Sequence, residues 1–217
     1  MSESRLARVP ENSRVATLRV IAHSTRVRNS AEPGRYLNHW VIYLHTERGQ
    51  VVRINMRMKN STEWPYELIP GVDYGVPGFL EITAYERFAV TPTMVKSWDA
   101  PMLGRPRVKD FINNLVSNKR QLYTMSKCGA GCRYWIYTVM SDFAEAMFIG
   151  EQSVPFMHER LMRWYEGTID NVTQGPLRTM PQGRFWEHND WDREMRRYDP
   201  RLPNSDMRSY WVDPDSD

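Results

Sequence analysis

A chain of 217 residues with 41% hydrophobic content, 8 Trp, 11 Tyr and 7 Phe has enough apolar material for one folded core, which excludes a disordered polymer. Its formal charge of +3 excludes a wholesale polycation, and no apolar run approaches the length of a membrane span. Two cysteines four positions apart do not make a secreted disulfide framework, and a lone Cys-x3-Cys pair is a poor zinc site, so neither metal nor cofactor is expected.

The chain opens Met1-Ser-Glu-Ser-Arg, without the apolar core of a signal peptide, and a soluble, cytoplasmic protein is the expectation. Residues 1–14 read as a flexible polar arm, 15–170 as a single α+β domain, and 171–217 as an irregular Trp/Pro-rich extension with a disordered acidic tail. Val15 to His23 alternates as a strand, and residues 24–37, with Ser, Asn, Pro and Gly, read as a loop. Asn38–His45 and Gln50–Met58 are two β-rich runs joined by Thr46-Glu-Arg-Gly49, a hairpin with glycine in its turn. Residues 60–76 read as loop, and a further strand is predicted at about 78–88. After a Pro-rich link at 92–106, Val108, Phe111, Ile112, Leu115 and Val116 fall at helical spacing. Leu122-Tyr123-Thr124 reads as a short strand entering a glycine-rich turn, Cys128-Gly-Ala-Gly-Cys132. From there Trp135, Ile136, Val139, Met140 and Phe143 mark a half-buried helix, and a second helix is predicted at Ser153–Tyr165.

Alternation along the hairpin sets His39, Val41, Tyr43 and His45 on one face and Trp40, Ile42 and Leu44 on the other. Pairing across the short turn places odd residues opposite odd residues, so Arg53, Asn55 and Arg57 share the His39 face. A polar face is thus built around an imidazole.

Cys132 follows His39 by 93 positions, at the point where the glycine turn becomes a helix. A thiol attacks acyl carbon as the thiolate, and a helix N-terminus and a neighbouring imidazolium both favour that form. Cys132 as nucleophile, His39 as base and Asn55 as the group orienting the imidazole, by accepting from its Nδ1–H, form the predicted catalytic set. N–H groups at the helix start would supply an oxyanion hole. Arg53 is the rival to Asn55, with substrate binding as its better role. Cys128 reads as a packing residue and His45 as a solvent-edge one. His23, His158 and His188 have no partner identifiable from sequence.

Residues 96–133 hold eight Lys or Arg against two Asp, whereas 199–217 hold five Asp against two Arg. The basic stretch offers contacts to a polyanion such as RNA phosphates, through Arg105, Arg107, Lys109, Lys119, Arg120, Lys127 and Arg133. A plain solvated helix face is the alternative.

His39-Trp40-Val41-Ile42-Tyr43 followed by Gly49-Gln50-Val51-Val52-Arg53 resembles the His-Trp-x-(Ile/Leu)-Tyr … Gly-x-Val-(Ile/Val)-His hairpin of circularly permuted papain-fold enzymes, the NlpC-type and lecithin:retinol acyltransferase group. That resemblance covers about residues 38–58 and 126–144 and implies an antiparallel sheet packed on a helix that begins with the nucleophilic cysteine. Arg53 stands where that group has its second histidine. The Asn-Cys-Glu-His-Phe box of the lipid acyltransferases is replaced by Gly131-Cys132-Arg133-Tyr134-Trp135, which argues against a phospholipid substrate. Over its whole length the chain is similar to a group of small fungal proteins that includes the arginine-containing cyclodipeptide synthases. This resemblance implies arginyl transfer from arginyl-tRNA to Cys132, followed by condensation with a second aminoacyl-tRNA to a cyclo(Arg-Xaa) diketopiperazine. A carboxylate would then receive the arginyl guanidinium, and Asp142 and Glu145 are the candidates on the Cys132 helix. A thiol amidase or isopeptidase on the same fold is the competing enzyme reading, and a non-catalytic binding module using the aromatic segment 164–211 is the other.

Overall fold

The computed structural model describes residues 6–28, 36–58, 76–126, 131–187 and 190. Its centre is an antiparallel sheet built from β1 (Leu6–Ala7), β2 (Val15–Arg28), β3 (Tyr36–Thr46), β4 (Val51–Met58), β5 (Gly78–Tyr85) and β6 (Met94–Ala100), in the order β1-β5-β4-β3-β2-β6. Three helices follow: α1 (Val108–Ser117), α2 (Cys132–Glu145) and α3 (Ser153–Leu161). Short strands β7 (Tyr123–Thr124) and β10 (Arg184–Phe185) pair with each other, as do β8 (Tyr165–Thr168) and β9 (Asn171–Gln174). The class is α+β.

Period-two alternation decides which face of the sheet is covered. Leu18, Val20 and Ala22 on β2, Trp40, Ile42 and Leu44 on β3, and Val52, Ile54 and Met56 on β4 are all fully buried. They form one core with Trp135, Ile136, Val139, Met140 and Phe143 of α2. The indole of Trp40 stacks on Trp98 of β6 at 5.3 Å, and both meet the ring of Tyr165 edge-on. The other face carries His23, His39, His45, Arg53, Asn55 and Glu81 around a smaller cluster of Ile21, Val41, Tyr43, Val51 and Met94.

The hairpin forms with the predicted odd-to-odd register, Tyr43 opposite Arg53 and His45 opposite Val51. Elsewhere the chain departs from expectation. β2 continues to Arg28, through the first part of the segment read as a loop. The link at 92–106 contains the edge strand β6, which pairs with β2. Its alternation is broken: Met94 and Val95 are both buried and a bulge interrupts the ladder, so no period-two signal survives in the sequence. The second helix stops at Leu161, and Tyr165 begins a hairpin instead. Part of the expected flexible arm is structured, since Leu6 and Ala7 pair with β5. Cys128, Lys127, His188 and the acidic tail lie outside the described residues.

Candidate active site

Cys132 is the first residue of α2, and Gly131 before it adopts φ 146°. Only glycine enters that backbone region readily. A Cβ there would also sit 2.9 Å from Tyr123 Oη and 3.3 Å from Met125 Sδ. The buried Tyr123 hydroxyl donates to the Gly131 carbonyl at 2.9 Å and accepts from the Gly183 N–H at 2.9 Å, which fixes the turn from two sides. The first intrahelical bond runs from Trp135 N–H to Gly131 O, so the Cys132 N–H lies upstream of the helical ladder, where an N-terminus presents its unpaired donors and its positive dipole end.

The thiol reaches the polar face through an opening in the sheet. The β3–β4 ladder runs only from Ile42↔Ile54 to His45↔Val51, whereas β4 stays paired with β5 as far as Met58↔Gly78. Beyond Ile42 the two strands are no longer paired, and α2 packs against both. There Cys132 Sγ lies 4.0 Å from the Asn38 carbonyl, and the Trp40 N–H donates to the sulfur. Asn38 is anchored in turn by a two-way amide pair with the main chain of Tyr165, both bonds 2.8 Å.

His39 bridges Cys132 and Asn55. Its Nε2 lies 2.6 Å from Asn55 Oδ1, and its ring hydrogen-bonds the Cys132 thiol. With Nε2 committed to Asn55, Nδ1 is the nitrogen left for the sulfur. The partnership with Asn55 is the predicted one, but the nitrogen is not: Nε2, rather than Nδ1, serves the amide. Cys132 lies beside the main chain of β3, with Sγ 4.0 Å from the Asn38 carbonyl, while Nε2 reaches across to Asn55 on β4.

Glu81 on β5, directly opposite Asn55 in the ladder, is the residue that sequence reasoning missed. Its Oε2 accepts from Asn55 Nδ2 at 3.1 Å and from Arg53 Nη2, while Oε1 faces Arg57 Nε at 3.6 Å. Because Nδ2 must donate to this carboxylate, Oδ1 must be the atom turned toward His39. Arg53 is therefore committed to Glu81 rather than placed as an orienting group for His39. The strand alternation of Glu81 with Leu80 and Ile82 already put it on a polar face; its missing signal was the β4–β5 register.

Electrostatics follow from this set. Burial alone pushes the Cys132 thiol up, but the hydrogen bond and charge of His39, the Trp40 N–H and the Arg133 charge outweigh it and hold the thiol below its ordinary value. Burial likewise presses His39 down, and its contacts with Cys132 and Asn55 against the opposing Arg53 charge leave it above its ordinary value. The pair favours thiolate and imidazolium. His23 sits directly across from His39 in the β2–β3 ladder, and burial, then the His39 and Arg53 charges, lower it to about 4. It is a neutral neighbour, with Nδ1 3.1 Å from Thr93 Oγ1.

The remaining predicted residues are dispersed. Asp142 is buried and forked by Arg120 at 2.5 and 2.8 Å, more than two turns along α2 from Cys132. Glu145 is exposed at the far end of the same helix. Several residues of the basic stretch have partners of their own. Arg105 pairs with Glu47 at 3.0 Å, Lys119 pairs with Glu187, and Arg133 donates to the Leu161 carbonyl at 2.9 Å. Lys109 lies on the first turn of α1, and Arg107 sits at its N-cap. Among the described residues no group of three or more His, Cys, Asp or Glu side chains is arranged to hold a metal ion, and no helix is long and apolar enough to cross a membrane.

Residues 18–186 match the family described as "Domain of unknown function (DUF7770)". The chain belongs to the DUF7770 family. Its matched span contains Cys132, His39, Asn55 and Glu81 together. Neither the curated proteins nor the solved structures contain a match to this DUF7770 chain.

Proposed function

We propose that this protein is a cysteine-dependent acyl-transfer enzyme in which Cys132 is the nucleophile, His39 the proton carrier and Asn55 the group that holds the imidazole. The observation that carries this reading is the continuous chain of contacts from Cys132 through His39 to Asn55, seated at a helix N-terminus. A structural cysteine needs none of these partners. The order of sheet and helix, with a hairpin histidine preceding a helix-start cysteine, supports a permuted papain-like arrangement.

The finer proposal is an arginine-containing cyclodipeptide synthase. The Cys132 thiolate attacks the ester carbonyl of arginyl-tRNA, the C–O bond breaks, and the departing ribose hydroxyl takes its proton from His39 Nδ1. The amine of a second aminoacyl-tRNA then attacks the thioester, forming C–N as C–S breaks; its proton passes to His39 and the thiolate returns. The arginyl amine closes the ring on the remaining ester and releases the second tRNA. Each ester consumed yields one amide, so no ATP is required. Support comes from the thiolate-forming site and from the resemblance of the whole chain to the fungal synthases.

Intact-mass and product analysis of the chain mixed with tRNA carrying all amino acids, beside Cys132→Ala, tests both levels. An arginyl adduct on Cys132 and an Arg-containing cyclic dipeptide, both absent from the variant, are the expected result. Acyl adducts that only hydrolyse would turn the reading to a thiol hydrolase. The absence of any adduct in a folded sample would overturn acyl transfer from tRNA.

A further inference from the structure

We infer that a four-arginine cleft at the end of the sheet remote from Cys132 binds the phosphodiester backbone of RNA. This rests on, and deepens, the aminoacyl-tRNA reading of the Cys132 site. Arg8 and Arg14 enter the cleft from the segment between β1 and β2, Arg48 from the β3–β4 turn and Arg107 from the N-cap of α1, around a volume of about 670 Å³. Three of these four arginines lie outside the 96–133 stretch that sequence alone singled out.

The main chain beneath them is fixed. Glu47 N–H donates to Arg14 O at 3.0 Å, Val15 N–H to Pro106 O at 2.9 Å, and Val108 N–H to Ser13 O at 3.0 Å. Three separate segments are thus tied together below one opening. The carboxylates nearby do not neutralise it: Glu47 is taken by Arg105, which leaves Glu11 against four guanidiniums. None of the four forms an ion pair among the described residues. Elsewhere on this chain arginines are matched with acids, as Arg19 is with Asp99, Arg120 with Asp142 and Arg163 with Glu159. Four unmatched guanidiniums converging on one opening repel one another until an anion is present.

The lining selects the kind of anion. Guanidinium forks match phosphate oxygens; nine of the eleven lining residues are polar or charged, and none carries an aromatic ring on which a base would stack. Such a site holds backbone and leaves sequence unread. Its position selects length. The cleft lies at the Val15↔Thr46 end of the sheet, while His39 lies at the His23↔His39 end. The seven intervening steps of β3 span on the order of 23 Å. A ligand that occupies the cleft while its acylated end lies at Cys132 must be an extended polyanion, which an isolated nucleotide is not. An RNA whose 3′ end carries the amino acid fits both requirements.

The test measures binding of an uncharged acceptor-stem RNA hairpin to the full chain, so that it does not depend on Cys132 chemistry. Wild type is compared with Arg8→Gln/Arg48→Gln, both exposed positions, after thermal melting has shown the fold intact. The expected result is a loss of tenfold or more in affinity, with a salt dependence of log K shallower by about two. An unchanged affinity and slope would overturn the proposal, as would equal binding of polyglutamate or full displacement of the RNA by inorganic triphosphate at equal phosphate concentration. Acylation of Cys132 by charged tRNA, measured in parallel, separates the two claims. Equal acylation in wild type and variant removes the cleft and leaves the thiol reading standing. RNA bound through the cleft without any adduct does the reverse.

Discussion

Asn55 turns its side-chain oxygen to His39 Nε2 at 2.6 Å while its amide nitrogen donates to Glu81 at 3.1 Å, so one residue joins the imidazole to a carboxylate two strands from β3. Its orientation is enforced at both ends: a reversed amide would set two donors against each other at His39 and two acceptors at Glu81. Replacing Asn55 by Ala should therefore free the ring to rotate without removing its base. The expected result is a fall in Cys132 alkylation at neutral pH, smaller than that caused by His39→Ala.

The thiolate–imidazolium pair sets a pH window. Reactivity of Cys132 disappears as pH falls through the lowered thiol value, because the sulfur is then protonated. Proton donation by His39 is lost as pH rises through its raised value. Turnover should thus be bell-shaped, whereas alkylation by iodoacetamide should keep only the acid limb. In His39→Ala the opposing charge is gone and burial remains, so that limb moves upward and the rate at pH 7 falls at least about tenfold. An unmoved limb would show that His39 does not ionise Cys132.

Glu81→Ala should act on both stability and site geometry. It strands the Arg53 guanidinium, which is three-quarters buried, and releases the Asn55 amide. A fully buried broken pair costs about 3–5 kcal/mol, and partial exposure of both partners reduces this to roughly 1–3 kcal/mol. Urea unfolding gives the first effect. The second is a lower alkylation rate that Glu81→Gln partly restores, since the Gln oxygen still accepts from Asn55.

Much of this site was legible before any coordinates, and the illegible parts share a cause. His39, Asn55 and Arg53 could be set on one face because a tight hairpin fixes its own register. Cys132 could be set at a helix start because Gly131 and the apolar spacing of Trp135, Ile136 and Val139 mark that boundary. Glu81 and His23 could not be joined to the site. Glu81 reaches it through the pairing of β4 with β5, which residues 59–77 separate, and His23 through the pairing of β2 with β3, where β2 runs on into a segment that reads as loop. Asp142 illustrates the same limit from the other side: it shares a helix with Cys132, yet Arg120, 22 residues away in sequence, pairs with its carboxylate. The four-arginine cleft is assembled from three segments, so no run of charge announces it.

Gly131→Ala should separate folding from nucleophile placement. An alanine must hold φ near 146° or shift the turn, and its methyl would press on Tyr123 Oη. The strain is about 1–3 kcal/mol, which unfolding measurements would register. The thiol should respond more strongly than global stability, because any relief of strain moves the first residue of α2. A variant with wild-type alkylation rates would show that the turn does not need glycine.

His23 gives the fold an acid sensitivity of defined sign. Its folded value of about 4 lies below the ordinary 6.5, so between these limits the unfolded chain binds more protons than the folded one. Stability from this group is complete above pH 6.5 and declines as pH falls toward 4, by up to about 3 kcal/mol. His23→Gln keeps a polar side chain beside Thr93 but cannot take up that proton. The difference in unfolding free energy between pH 7 and pH 4 should therefore be smaller in the variant than in wild type. Equal pH slopes would mean that His23 is as easily protonated in the folded chain as in the unfolded one. The two strands would then be holding an imidazolium pair across the His23–His39 rung, which the burial of both rings and the adjacent Arg53 charge oppose.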